Sequence, residues 1–192
     1  MIKQALLASA FVATTLAVPA YAIEYNAVQA DKSNVAFTYK QMNVPVNGKF
    51  RKFDTRISFD PARPEAASTT LEIDLASIDA GSAEANDEVS GKLWFNTKAF
   101  PKASFVSSSV KSLGNNRYEV AGKLSIKGKT HDAIAPFSFR QEGTQGVFDG
   151  AFVLKRAEYG IGEGMWADFG TVANEIQIKF HVVAAPAAAG KK

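Results

Sequence analysis

Cysteine is absent from the 192 residues, and histidine occurs only twice. The first absence excludes disulfide staples, thiol nucleophiles and lipoprotein anchoring through an N-terminal cysteine. Together the two leave too few thiolate or imidazole ligands for a transition-metal site, so no metal and no cofactor are expected. Charge of one sign is scarce as well. Twenty-two basic residues stand against 19 acidic ones for a net +3, and no run of like charges exceeds a pair. That balance lacks the basic stripe a nucleic-acid partner needs, so none is expected. The longest apolar stretch, Ala5 to Val18, is too short for a membrane span and has no stop-transfer flank.

That stretch has another reading. Lys3 supplies a positive start, Ala5 to Val18 an uncharged apolar middle, and Ala20-Tyr21-Ala22 the small residues that a signal peptidase reads. Residues 1–22 are therefore expected to be a signal peptide cleaved after Ala22. This would send the rest of the chain, from Ile23, to the periplasm without a stable membrane anchor. About 170 residues remain, enough to bury a core without staples. From Ala184 the sequence APAAAGKK follows one further alanine with no large apolar residue, and residues 184–192 read as a disordered tail.

Between these ends the pattern has period two, the mark of strands with one buried face. Val35, Phe37 and Tyr39 alternate with polar or small neighbours, as do Phe53, Thr55, Ile57 and Phe59, then Leu71, Ile73 and Leu75. Tyr118 to Ile126 and Phe148 to Leu154 follow the same rule. Ile176, Ile178, Phe180 and Val182 give its clearest case, set against Glu175, Gln177, Lys179 and His181. A slip of one residue would turn every apolar set into water, so register is well specified. Pro61 and Pro64 interrupt the strands, while Gly114-Asn115-Asn116 and Lys127-Gly128-Lys129 suit tight hairpins. Ser82 to Leu93 departs from period two. Ser82 serves as a helix N-cap, Val89 and Leu93 share a face, and Gly91 ends or loosens the helix.

Catalytic constellations are thin. His181 falls on the polar face of its strand. His131 beside Asp132 would need a serine partner, and no serine stands in a nucleophile elbow, so no enzymatic activity and no catalytic residue are expected. Gly160-Ile161-Gly162-Glu163-Gly164 has the glycines of a phosphate loop but no following Lys-Ser/Thr or helix, and reads as a turn. Glu158, Glu163 and Asp168 lack the spacing of a calcium loop.

Several ordered pieces resemble the YceI-like family of periplasmic, lipocalin-like proteins. They are Ser33 to Phe37, Gly48-Lys49-Phe50 with Phe53 and Phe59-Asp60, Ile73-Asp74, and Ser77-Ile78-Asp79. Phe95, Phe100-Pro101, Phe105 with Ser107, Gly122 to Thr130, and Lys155 to Gly162 complete the set. The resemblance runs from Tyr25 to Val183. It implies an all-β fold, an eight-stranded antiparallel barrel with one short helix over residues 23–183, holding a polyisoprenoid or similar long-chain lipid in an apolar tunnel.

Fourteen phenylalanines against three methionines and two tryptophans supply rigid walls for such a tunnel. The residues expected to bind the ligand are Val35, Phe37, Tyr39, Phe59, Ile73, Leu93, Trp94, Phe105, Leu124, Phe137, Phe152, Leu154, Trp166, Ile178 and Phe180. Lys40, Arg156, Trp166 and Asp168 are candidates for a head group at the mouth. The alternative is that the rings mesh with one another, making a filled barrel with a structural or stress-related role in the envelope, since eight-stranded barrels occur both ways. An exposed sheet edge could also pair two copies into a homodimer.

Overall fold

The structure is a computed structural model that describes residues 23–186. The expected signal peptide, residues 1–22, and residues 187–192 lie outside the described residues. Eleven strands are formed: β1 (Tyr25–Val28), β2 (Asn34–Gln41), β3 (Val44–Phe50), β4 (Phe53–Ser58), β5 (Ser68–Asp74), β6 (Ile78–Asp79), β7 (Lys102–Gly114), β8 (Arg117–Ile126), β9 (Lys129–Glu142), β10 (Gln145–Lys155) and β11 (Glu175–Pro186). One helix, α1 (Ala83–Ser90), lies between β6 and β7. The strands make one antiparallel sheet in the order β4-β5-β7-β8-β9-β10-β11-β2-β3-β6, with β1 added beside β11.

The fold is all-β with a single short helix, curled in the lipocalin manner, but eight strands is a correction to make. The surplus comes partly from short pieces that close the curl. Four-residue β1 pairs with β11 on one side and bridges Tyr25 to Phe59, just past β4, on the other. Two-residue β6 covers the end of β3 at Lys49 and Phe50. Edge groups left open would cost hydrogen bonds or invite another chain, and these patches satisfy them locally.

Period two governs burial as expected. Along β8, Tyr118, Val120, Gly122, Leu124 and Ile126 are all buried, and the residues between them are exposed or half-buried. The two hairpins form where the turn residues point: φ is +52° and +55° at Asn115 and Asn116, and +50° and +75° at Lys127 and Gly128. Pro136 sits inside β9, where proline removes a ladder donor. It stands where pairing with β10 stops, one residue past the Phe137–Gly150 pair.

Two boundaries move. Ser82 does cap α1, its Oγ accepting from the Ala85 N–H at 3.2 Å, but the helix ends at Ser90 against Gly91 rather than reaching Leu93. Nor are the first residues of the expected tail, Ala184 to Pro186, disordered. Ala184 is fully buried, and Ala184, Ala185 and Pro186 extend β11 along β1. A sheet ladder is made by backbone groups, so small side chains did not prevent it.

The interior is unevenly filled. At one end Phe59 meets Tyr118, Phe139 and Phe148 at ring-centroid distances of 5.2, 5.0 and 5.1 Å, with Tyr25 behind Phe139 at 5.3 Å. Tilted and edge-to-face contacts of this kind make a solid plug. Away from it the aromatic contacts are pairwise along the wall, as between Phe37 and Phe50 at 5.3 Å and Trp94 and Trp166 at 5.5 Å, and leave space between them.

Candidate ligand cavity

The inward faces of the curled sheet enclose a cavity of about 620 Å3 whose wall is almost wholly apolar. The size lies within the ~300–1,000 Å3 of small-molecule sites. Fourteen of the fifteen residues proposed from sequence border it, with Phe59 and Phe137 forming its floor against the aromatic plug. Leu93 is the exception. It is exposed and lies against Gly164 on the outside. Because Gly91 stops the helix, the turn that follows carries Trp94 inward and Leu93 outward.

A second sequence signal explains why the interior stays open. Phe37 pairs across the sheet with Gly48, and Phe180 with Gly150. A Cβ on either glycine would run into the tip of the paired ring, and one on Gly122 would meet the Val106 carbonyl and the tip of Phe105, a diagonal neighbour on the next strand. Each ring therefore lies back over the neighbouring strand instead of projecting to the barrel axis. Glycine at these inward positions makes room for the ring, and the ring leaves room in the lumen.

At the other end α1 and the segment after β10 form the mouth. Gln41, Ser82, Glu84, Glu88, Arg156 and Trp166 bring polar atoms to it. Glu84 and Glu88 are four apart on α1 and so share one face, a pairing readable from spacing but overlooked there. Glu88 accepts a hydrogen bond from Trp166 Nε1 at 2.7 Å, tying the helix to the opposite loop. The carboxyl of Glu84 is held below its usual range by a hydrogen bond from its own backbone N–H and by Ser82, so it remains charged at neutral pH. Trp94 Nε1 is buried in the wall without a hydrogen-bond partner among the described residues.

Arg156 organises the loop. It is 1% exposed, and all five of its N–H donors are engaged by backbone carbonyls. Nε donates to Ala173 at 3.1 Å, Nη1 to Ile161 and Gly162 at 2.8 and 2.9 Å, and Nη2 to Trp166 and Val172 at 2.7 Å each. The rings of Trp94 and Phe169 lie 5.5 and 5.3 Å from the guanidinium carbon. Burial pulls the group's pKa down, yet arginine starts so high that it keeps its charge. Gly162, at φ +77°, must lack a Cβ because one would strike Arg156 Nη1. The glycine-rich run thus turns carbonyls inward, whereas its Gly162 and Glu163 N–H groups donate to the Leu93 carbonyl. This is the reverse of a phosphate loop, which presents N–H groups.

The structure sorts the four head-group candidates. Trp166 and Arg156 border the cavity, the latter with its donors spent. Lys40 is exposed and outside the lining, and Asp168 is occupied with Gly170 N and Thr171 Oγ1. Both histidines lie away from the lumen. His131 Nε2 is 3.2 Å from the Glu158 carbonyl with its ring edge-on to Tyr159, and His181 Nδ1 is 2.6 Å from Asp149 on the outer face. Among the described residues no three metal-donor side chains cluster.

Comparison with known proteins agrees with this architecture. The model of the YceI-like domain family matches residues 26–184. A UPF0312 protein of Azotobacter vinelandii is 31% identical over 137 residues, which are 68% of this chain and 69% of the relative. The crystal structure of Burkholderia cenocepacia BcnA superposes with a TM-score of 0.80 at 46% identity, covering 82% of this chain and 99% of that one. A polyisoprenoid-binding domain from Saccharophagus degradans shares the fold at TM-score 0.65 and 14% identity, covering 86% of this chain and 99% of that domain. The chain belongs to the YceI-like domain family.

Proposed function

We propose that this protein binds a polyisoprenoid or similar long-chain lipid in the cavity and holds or carries it through the periplasm. The observation that carries the proposal is the open apolar lumen of about 620 Å3, propped by rings lying over glycines. The Saccharophagus degradans domain of the same fold is described as binding polyisoprenoids. Desolvation of the chain is the driving force. Burying a five-carbon unit is worth about 4 kcal/mol gross, and about 0.3 kcal/mol per heavy atom is left as net affinity for long ligands. Several units therefore reach micromolar binding without a hydrogen bond.

The mouth narrows the head group. The cavity lining contains two carboxylates, Glu84 and Glu88, and a single cation, Arg156, whose donors are all engaged. A phosphate would meet like charge and no free donor fork, so a neutral head such as an alcohol, amide or quinone fits better. Reading the protein as a binder is supported by a cavity wall that is almost wholly apolar, which offers a ligand desolvation. The filled-barrel alternative is disfavoured by the cavity itself.

The test is to express the full chain in a Gram-negative host, recover the periplasmic fraction, and extract the purified protein with organic solvent. The expected N-terminus is Ile23, and mass spectrometry should find a stoichiometric prenyl-type lipid with a neutral head. Protein that carries no lipid and fails to bind added prenyl alcohols would defeat the proposal.

A further inference from the structure

Ten large apolar side chains are conspicuously exposed, and they do not scatter evenly. Val106, Leu113, Ile134 and Val153 are single outward residues on strand faces, and Ile23 begins the described chain. Isolated residues of that kind are ordinary on any protein surface. The other five, Met42, Val44, Leu93, Met165 and Phe169, lie in the β2–β3 turn and the first residue of β3, in the turn after α1, and in the connection from β10 to β11, the segments around the mouth of the cavity. Hydrogen bonds tie these segments together. Met42 N donates to the Thr171 carbonyl at 2.9 Å, the Leu93 carbonyl accepts from Gly162 and Glu163, and Arg156 gathers Trp166 and Val172. Cavity-lining Gln41, Trp94 and Trp166 each sit next in sequence to one of the five.

Met42 adds an independent observation. It opens the β2–β3 turn at φ +48°, followed by Asn43 at φ +64°. Both central positions of such a turn favour asparagine or glycine, and an unbranched apolar residue there is strained. The strain obtains no burial in return, since Met42 is 72% exposed, a degree exceeded among these ten residues only by Met165 at 78%. A strained, solvent-facing methionine points to a role outside the folded monomer.

We infer that this rim is a lipid-bilayer docking surface, through which the mouth meets the membrane to load or release the bound chain. The inference rests on the lipid-binding reading above. The five side chains offer on the order of 500 Å2, the size of a functional patch but short of the ~800 Å2 per partner that a stable dimer buries. Flexible methionines and a phenylalanine suit the disordered acyl boundary better than a shaped protein surface. Beside the rim Lys40 and Lys92 stand against Glu84, Glu88 and Asp168, with Glu163 paired to Lys127, so there is no excess of cations to attract anionic lipid and contact depends on apolar insertion. No helix among the described residues is long and apolar enough to cross a membrane.

The experiment is vesicle flotation of the mature protein with neutral phosphatidylethanolamine–phosphatidylcholine vesicles, beside light scattering and lipid extraction on the same samples. The wild type is expected to float at low and high salt. Met42→Asn with Met165→Ser should lower partitioning about tenfold while leaving extracted lipid unchanged, because neither residue borders the cavity. Met42→Asn alone should raise thermal stability by relieving the turn, which separates docking from folding. Val106→Ser with Ile134→Ser should float as the wild type does. Equal losses in both double variants, or wild-type protein that carries lipid yet never floats, would overturn the docking surface and leave the binding function standing. Flotation by protein that never holds lipid would support the surface and sink the carrier reading instead. A wild-type dimer that Met42→Asn with Met165→Ser converts to monomer would assign the rim to a second copy and overturn the inference.

Discussion

Gly150→Ala tests the proposal that rings lying over glycines keep the lumen open. The added Cβ would clash with the tip of Phe180, coming within 2.7 Å of its Cε2 and also 2.7 Å from the Pro136 carbonyl. The backbone oxygen is fixed in the β9 ladder, so the ring must move, and the available space is the cavity. Overpacking costs about 1–3 kcal/mol, and removing glycine from a strand returns about 0.5–1, leaving a net loss near 1–2 kcal/mol. An apolar void of about 150 Å3 holds a benzene ring, so a displaced phenyl takes on the order of a quarter of the 620 Å3 lumen. One five-carbon unit of ligand then loses its place. At ~0.3 kcal/mol per heavy atom that is about 1.5 kcal/mol, close to tenfold in Kd. Titration by intrinsic tryptophan fluorescence should show this loss for a four-unit prenyl alcohol and almost none for a one-unit alcohol. Adding Phe180→Leu should restore long-chain affinity. If Gly150→Ala lowers the melting temperature but leaves four-unit affinity intact, the ring does not guard the lumen and the argument is refuted.

Other expectations follow from the same geometry. Arg156→Lys should be nearly as harmful as Arg156→Met, each costing at least about 3 kcal/mol in a denaturant melt, because an ammonium cannot serve five carbonyls arranged for a planar fork. Glu84→Gln with Glu88→Gln should improve binding of a prenyl phosphate by about threefold or more relative to the matching alcohol; an unchanged ratio would remove the mouth's carboxylates from head-group choice. Asp60 is held below the ordinary carboxyl range by the Ala62 N–H and then by Arg63. Its contribution should be complete above the unfolded value of about 3.9 and vanish as pH falls through the lower folded value, so Asp60→Asn should flatten the acid limb of a stability–pH profile.

The site was legible to different depths. Fourteen lining residues could be named because alternation along a strand assigns a face, and assignment to a face is nearly assignment to the lumen. Leu93 was misplaced because a helical spacing was extended through Gly91, beyond which that spacing has no meaning. Arg156 looked like a surface cation open to a head group. Its neighbours in sequence give no hint that five carbonyls from residues 161–173 converge on it.

Sequence alone determined the class of fold, the face each strand buries, the hairpins and the helix start, because each depends on periodicity or on residues within a few positions of one another. It also determined that metal and thiol chemistry had few residues to work with. Tertiary structure decided whether the phenylalanines mesh or stand apart, and they do both, plugging one end and lining the other. That outcome turns on which residue faces each ring from the next strand. A glycine there lets the ring lie flat, and the pairing of distant strands, not the local pattern, brings that glycine opposite.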